Sequence, residues 1–90
     1  MKSGSVNIDM LDEFVYLAET LSFKRTADHF YLSKSVVSRH MSALEEQLGV
    51  RLFERDNRGT RLTDAGRAFY PQAKRILNDW AMALDAVCDA

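Results

Sequence analysis

The 90-residue sequence predicts a mainly α-helical domain, with three short helices, one β-hairpin and a long final helix. Apolar residues recur at helical spacing in four segments, and a serine or threonine precedes three of them. Between the third and fourth segments, two short extended runs flank an Asn/Gly turn. Ninety residues are enough for one small domain with a modest core.

Composition excludes several classes of function. The chain is 47% hydrophobic and 28% charged, which is ordinary for a globular protein, and no apolar run approaches the ~18 residues of a membrane span. Cys88 stands alone, and His29 and His40, which we expect at the polar surface, are not at ligand spacing. We therefore expect a cytoplasmic protein without a membrane partner, metal or cofactor in these residues, and not an enzyme.

The first two predicted helices are amphipathic. The first runs from about Asp9 to Thr20, and its apolar stripe consists of Met10, Phe14, Leu17 and Leu21. Ser22 then suits an N-cap, and the short second helix buries Phe23, Ala27 and Phe30. The segment Tyr31-Leu32-Ser33 breaks the pattern without a glycine. Two short helices joined by a tight turn are what a helix-turn-helix requires.

The third helix is predicted from Lys34 to Leu48, with Ser33 as N-cap and Gly49 at its end. Its buried stripe is Val37, Met41, Leu44 and Leu48, and its outward face carries Ser35, Arg39, Ser42 and Glu46, flanked by Val36 and Ser38. Small polar residues with one arginine suit a helix that enters a major groove. An ordinary surface helix would also be polar outside, and this pattern alone leaves both interpretations open.

The hairpin is predicted around a turn at Asp56–Thr60. Arg58 lies in this loop, and Arg55 and Arg61 flank it. A basic hairpin behind a recognition helix is a wing, which can follow the DNA backbone or enter a minor groove. A solvated turn is the alternative, since arginine is common in turns.

Charge is unevenly distributed along the chain. The net charge is −1, yet residues 22–61 hold eight Lys or Arg against five acidic residues. A DNA site needs a locally basic surface rather than a basic protein. Charge alone does not separate this interpretation from chance fluctuation in a short chain.

The last helix is predicted to begin after the N-cap Thr63 and to carry a heptad seam. The seam consists of Phe69, Ala73, Ile76, Trp80, Ala83 and Val87, flanked by Tyr70, Leu77 and Leu84. We expect the corresponding helix of a second copy to cover it, and folding back onto its own domain is the alternative. Pro71 is expected to kink the helix or to mark its effective start.

Five segments in order resemble the LysR-type transcriptional regulators. They are Ser22-Phe23, the serine-rich stretch from Ser33 to Arg39, Leu-Glu-x-x-Leu-Gly at 44–49, Arg-Leu-Phe-x-Arg at 51–55 and Leu-Thr-x-Ala-Gly at 62–66. The similarity runs continuously from about Ile8 to Ala86. It implies a winged helix-turn-helix DNA-binding domain over residues 6–63, with the helix-turn-helix at 23–42, and a linker and dimerisation helix over 64–90.

The resemblance also implies partners and site residues. The expected DNA-contacting residues are Ser22, Ser33, Lys34, Ser35, Val36, Ser38, Arg39, Ser42, Arg55, Arg58 and Arg61. The expected dimerisation residues are Phe69, Ala73, Ile76, Leu77, Trp80, Ala83, Leu84 and Val87. A homodimer would read an interrupted palindrome in double-stranded operator DNA in the bacterial cytoplasm. Tetramers and contact with RNA polymerase are open for the full-length protein. A small-molecule inducer would bind a C-terminal domain that these residues lack, so we expect a part of a longer regulator.

Two departures from the family pattern and two competing classes bear on this identification. Val36 is larger than usual early in the recognition helix, where its methyl groups could meet a thymine methyl, and Thr26 stands where alanine is common. MarR-type regulators share Leu-Thr-x-Ala-Gly but have a longer wing. A winged helix that binds only proteins would show apolar or acidic residues in place of Lys34, Ser35, Ser38 and Arg39.

Overall fold

A computed structural model describes residues 6–89 and contains the predicted elements in the predicted order. The helices and strands are α1 (Ile8–Thr20), α2 (Phe23–His29), α3 (Lys34–Leu48), β1 (Phe53–Asp56), β2 (Gly59–Leu62) and α4 (Asp64–Cys88). The two strands form one antiparallel hairpin. The predicted fold class, mainly α with a short hairpin, is confirmed.

Each helix begins at a side chain that caps it. The hydroxyl oxygens of Ser22, Ser33 and Thr63 accept hydrogen bonds from the backbone N–H three residues ahead, at 3.0, 3.2 and 3.0 Å. All three predicted N-caps are therefore confirmed. Asn7, which the sequence analysis did not identify, caps α1 in the same way through its side-chain oxygen, at 3.1 Å from the Met10 nitrogen.

The turn between α2 and α3 closes without glycine because Tyr31 adopts the left-handed conformation, with φ at 57°. Leu32 then donates its N–H to the Ala27 carbonyl oxygen at 2.8 Å, which turns the chain towards α3. The Tyr31 side chain is 95% exposed, so packing does not compensate for the left-handed backbone. Local hydrogen bonds and the packing of Leu32 against the core hold this turn.

The core lies where the four helices and the hairpin meet. The Phe14 ring is fully buried, and its centroid lies 5.5 Å from that of Phe53 and 5.1 Å from that of Phe69. Val37, Met41 and Leu44 of the predicted α3 stripe are buried, whereas Leu48 is 41% exposed. The prediction for Leu48 is wrong because it ends the helix at the rim of the core.

A buried carboxylate links α1 to α3. Glu13 is 3% exposed, and its Oε1 lies 2.8 Å from His40 Nδ1. The expectation that His40 is a surface residue is therefore wrong: it is half-buried against the acidic partner. His29 is exposed, and its ring stacks on Tyr16 at a centroid distance of 4.1 Å. No signal in the sequence pairs residues 13 and 40.

The hairpin turn is tighter than predicted. Asp56 pairs with Gly59, so the turn consists of residues 57 and 58 alone. Gly59 supplies the positive φ, at 120°, and Asp56 Oδ1 accepts a hydrogen bond from the Arg58 N–H at 2.9 Å. The predicted turn Asp56–Thr60 is therefore corrected, because both of its ends belong to the strands.

Helix α4 begins at Asp64, so Pro71 lies inside the helix and does not mark its start. Gly66, in the first turn of α4, lies against the backbone of Leu52, the residue before β1. A Cβ at position 66 would stand 2.3 Å from the Leu52 carbonyl oxygen. This contact and the aromatic packing of Phe69 hold the first turns in place around the proline.

The first half of α4 belongs to the core of its own chain. Ala73 is fully buried, and Phe69 and Leu77 pack against the same buried cluster. The expectation that a second copy covers the whole seam is therefore wrong for these three residues, and the alternative, packing against the same domain, applies to them. The remaining predicted seam is exposed, from Ile76 to Val87, with Trp80 at 48% and Val87 at 75%.

Two further observations concern residues 6–89. None of the helices there combines the length and apolar character that crossing a membrane demands. The same residues contain no group of three or more His, Cys, Asp or Glu that could hold a metal ion. The last residue of the predicted linker helix, at position 90, lies outside the described part of the chain.

Candidate nucleic-acid interface

The outward face of α3 is polar and open. Ser35, Arg39 and Ser42 are exposed, whereas Val36 and Ser38 are half-buried at its edges. The opposite face is buried in the core, so α3 can turn only this side towards a partner. Glu46 lies on the same exposed side, nearer the C-terminal end of the helix.

A groove separates the beginnings of α2 and α3 from the hairpin, and we call it the wing groove. Its lining residues are Leu21, Ser22, Phe23, Lys24, Lys34, Ser35, Ser38, Arg55, Gly59 and Thr60. Five of the residues predicted to contact DNA thus meet in one place. Phe23, Lys24 and Thr60 also line it and were not predicted as site residues.

Strand register separates the wing arginines. Arg55 pairs with Thr60, and Glu54 pairs with Arg61. Because successive residues of a strand point to opposite faces, Arg55 shares its face with the buried Phe53, while Arg61 lies on the other face. Arg55 and Arg61 were predicted to act together in one basic wing, but Arg61 does not line the wing groove.

Acidic neighbours hold the Arg61 side chain. Its guanidinium lies 2.7 Å from Asp56 Oδ2 and 3.5 Å from Glu54 Oε1. The Arg61 hydrogen bond lowers the pKa of Asp56, with the Arg58 N–H adding to the effect, and the same pair raises the pKa of Arg61. Both groups therefore stay charged near neutral pH, and the positive charge of Arg61 is largely offset.

Four other predicted cations have no carboxylate within 4.0 Å among residues 6–89, namely Lys34, Arg39, Arg55 and Arg58. By contrast, Lys24 pairs with Asp28 at 3.0 Å, and Arg51 pairs with Glu45 at 3.7 Å. Two of these four cations, Lys34 and Arg39, are exposed on α3. The other two lie in the hairpin, Arg55 in β1 and Arg58 in the turn. This surface is suited to an anionic partner.

The capping serines keep part of their hydrogen-bonding capacity. Ser22 and Ser33 accept bonds from the backbone at the starts of α2 and α3, and a hydroxyl that accepts in this way still has one hydrogen to donate. Ser33 also shares a hydrogen bond with Ser35 at 3.1 Å. Either serine at these helix starts could donate to a phosphate oxygen.

Glu45 has a structural role that was not predicted from the sequence. Its Oε2 accepts hydrogen bonds from the N–H groups of Leu52 and Phe53, at 2.7 and 3.3 Å. The carboxylate therefore fixes the start of the hairpin relative to α3. Thr63 holds the other end, since its hydroxyl donates to the Arg51 carbonyl oxygen at 2.6 Å. These contacts set the distance between the hairpin and α3.

The departure at Thr26 is accommodated in the core. Its side chain is fully buried, and its hydroxyl donates to the Ser22 carbonyl oxygen at 2.8 Å. This bond satisfies the hydroxyl within the first turn of α2, so threonine can replace the commoner alanine without an unpaired polar group.

Comparisons of sequence place these features in a known group. Residues 8–67 match the family model described as bacterial regulatory helix-turn-helix protein, lysR family. An uncharacterized HTH-type transcriptional regulator of Azotobacter vinelandii, from the ibpB-leuC intergenic region, is 45% identical over 73 residues, 81% of this chain and 51% of that protein. CitR of Bacillus subtilis is 41% identical over 70 residues, 78% of this chain and 24% of that protein. The chain thus spans about half of the first relative and about a quarter of the second.

Comparisons of structure lead to the same group. A crystal structure of a CbnR_DBD–DNA complex has a TM-score of 0.87 and 36% identity, covering 93% of this chain and 97% of the other. A crystal structure of a BenM_DBD complex with catB site 1 DNA has a TM-score of 0.86 and 30% identity, covering 93% and 94%. Together with the matched family model, the four helices, wing and serine-rich α3 show that the chain belongs to the LysR family of bacterial helix-turn-helix regulators.

Proposed function

We propose that this chain is the DNA-binding part of a transcriptional regulator and reads operator DNA with α3. The observation that carries the proposal is the exposed face of α3 with its serines and Arg39, bordered by the three cations Lys34, Arg55 and Arg58. None of these four cations has a carboxylate within 4.0 Å among the described residues. The CbnR_DBD and BenM_DBD structures are complexes with DNA and share this fold, which supports the proposal.

The geometry favours distinct roles for the contacting groups. Arg39 projects from the middle of the exposed face, where its planar guanidinium can bond two acceptors of a guanine. Ser35 and Ser38 are small enough to let the helix approach the base edges. Val36 offers methyl groups at the edge of the same face. Lys34 and Arg55, at the wing groove, suit phosphates, and Arg58 at the hairpin tip suits the backbone or minor groove.

We propose that α4 pairs two copies of the chain. Ile76, Trp80, Leu84 and Val87 are exposed on the half of the helix that extends beyond the domain core. Buried against a second copy, they would bring two α3 helices to successive major grooves of an interrupted palindrome. For the full-length regulator we propose three further properties. It forms tetramers, it contacts RNA polymerase, and it binds a small-molecule inducer in a further domain.

Selection from a random pool of duplex DNA tests the proposal. The chain is incubated with the pool, bound duplexes are recovered over several rounds, and the enriched sequences are read. We expect two related half-sites, one helical turn or a multiple of it apart, because two copies each present one α3. Recovery of no common sequence, with binding that is equal on all duplexes, would contradict sequence-specific recognition by α3.

A further inference from the structure

We propose that Phe23 is a positioning residue that holds the Arg55 guanidinium ready for a DNA phosphate in the wing groove. The inference rests on the proposed function and assigns a role to a side chain that cannot itself bond DNA phosphate. It joins the first residue of α2 to strand β1.

The contact is a cation placed over an aromatic face. The Arg55 Cζ atom lies 4.3 Å from the centroid of the Phe23 ring, within the range in which such pairs attract. The Phe23 ring is held in turn by the core, since it is half-buried and meets Phe53 edge-on at 6.3 Å. The ring is therefore a fixed support for an arginine that is itself exposed.

The bonding groups of Arg55 are free. A guanidinium carries five N–H donors, and in the described part of the chain the Arg55 side chain donates none of them to another residue. Among residues 6–89 no carboxylate pairs with Arg55, in contrast to Arg61 on the other face of the wing. The Arg55 side chain is thus oriented by an apolar neighbour and keeps its charge for a ligand.

The position of Arg55 identifies that ligand as a backbone phosphate. Arg55 lines the wing groove together with Lys34, Ser35 and Ser38 of α3. A helix in a major groove and a wing on the neighbouring minor groove must lie on either side of one sugar–phosphate strand. That strand crosses the wing groove between them, where a planar guanidinium can bond two phosphate oxygens.

Prior orientation raises affinity because less side-chain freedom is lost on binding. A free arginine must give up several rotatable bonds when it bonds a phosphate, whereas Phe23 has already restricted them. We expect Phe23→Leu to weaken DNA binding about three- to tenfold, the factor that corresponds to ordering one long side chain.

A double-mutant cycle tests the inference, with affinity measured by fluorescence anisotropy at several salt concentrations on one duplex. We expect Arg55→Ala to lower the salt slope by about one unit, since one phosphate contact is lost. Phe23→Leu should weaken binding with the slope unchanged, because the charge still reaches the phosphate. In the Arg55→Ala background, Phe23→Leu should have no further effect.

Two measurements distinguish positioning from a loss of fold. Phe23→Tyr keeps the aromatic face and should restore wild-type affinity. In NMR spectra of the free protein, the Arg55 Hδ signals should show a ring-current shift that Phe23→Leu removes, while thermal unfolding remains cooperative. An equal loss from Phe23→Leu with and without Arg55 would show that Phe23 acts through the fold, and would overturn the inference while leaving the proposed function intact. A wild-type chain that binds no duplex would overturn both.

Discussion

At the scale of single residues, ionic partners distinguish arginines that composition alone treats as equivalent. Arg61 is held by two carboxylates on the outer face of the wing, whereas Arg39 on α3 has none within 4.0 Å in the described part of the chain. An arginine without such partners can bond a base or phosphate without first breaking an ion pair. The predictions for DNA binding follow from this difference.

Arg39→Ala tests base recognition. Because Arg39 lies on the exposed face of α3, its removal should weaken specific binding by ~1–3 kcal/mol and relax preference at one position in each half-site. Binding to random duplex should change little. Anisotropy titrations on the selected operator and on a scrambled duplex measure both, and an equal loss on the two would contradict base recognition by Arg39.

Arg58→Ala tests the hairpin tip, and Arg61→Ala is its matched control on the same hairpin. We expect Arg58→Ala to weaken binding to all sequences and to lower the salt slope by about one unit. Arg61→Ala should lower it less, since Asp56 and Glu54 already offset that charge. An unchanged slope for Arg58→Ala would show that the tip remains in solvent.

His40→Ala tests the buried link between α1 and α3. The variant leaves the Glu13 carboxylate buried without its partner, so we expect a loss of about 1–3 kcal/mol in the free energy of unfolding. Urea denaturation measures it. His29→Ala is the control. Because the His29 ring is exposed, this variant should lose less than half as much free energy of unfolding. Equal stabilities of the two variants would mean that the Glu13 contact contributes nothing.

At the scale of elements, caps and close contacts fix how the hairpin joins its neighbours. Glu45 bonds the hairpin start to α3, and Thr63 bonds its end to the Arg51 carbonyl while it caps α4. Gly66 lets the first turn of α4 approach the Leu52 backbone. The wing is therefore attached at both ends, although the hairpin is only two short strands.

Gly66→Ala tests the contact between α4 and the Leu52 backbone, because the substitution should lower the stability of the fold where alanine in a helix would normally raise it. Glycine-to-alanine exchange inside a helix normally stabilises by about 1 kcal/mol. Here the new Cβ would stand 2.3 Å from the Leu52 carbonyl oxygen and 2.7 Å from Leu62 Cδ2, so we expect destabilisation of roughly 1–3 kcal/mol instead. Thermal unfolding checks it, and a raised melting temperature would contradict the close contact.

At the scale of the whole molecule, the two halves of α4 lie in different surroundings. Its first half completes the core through Phe69, Ala73 and Leu77, and its second half leaves the core with apolar residues exposed. Contiguous exposed apolar patches usually mark an interface. Trp80 and Leu84 therefore give the most direct test of pairing between copies.

Trp80→Glu should give folded monomers. The large exposed residues of this seam contribute roughly 1.5–3 kcal/mol each on burial, before association costs, and a charge among them removes that gain. The core stays intact because Trp80 lies outside it. Sedimentation should show monomers, and binding to a palindrome should fall far more than binding to a half-site.

Arg75→Glu, an exposed change on the same helix outside the predicted seam, should leave the dimer unaffected. A Trp80→Glu chain that stays dimeric would place the interface elsewhere. A wild-type chain that is monomeric at micromolar concentration would contradict pairing through α4.

Local patterns were enough to predict the elements of this protein. The spacing of apolar residues depends on neighbours three or four positions apart, and the caps Ser22, Ser33 and Thr63 bond only to the next turn. The exposed face of α3 follows from the same periodicity, because the stripe through Val37 and Met41 must be buried. These features were therefore predictable from the residues themselves.

Tertiary packing determines which residues that are distant in the sequence meet. The contacts of Glu13 with His40 and of Phe23 with Arg55 depend on how helices and hairpin pack, since 27 and 32 positions separate these partners. The division of the α4 seam at Leu77 likewise depends on how far α1 reaches along the helix. Periodicity identifies an apolar face, but only packing determines whether the same chain or a second copy can cover it.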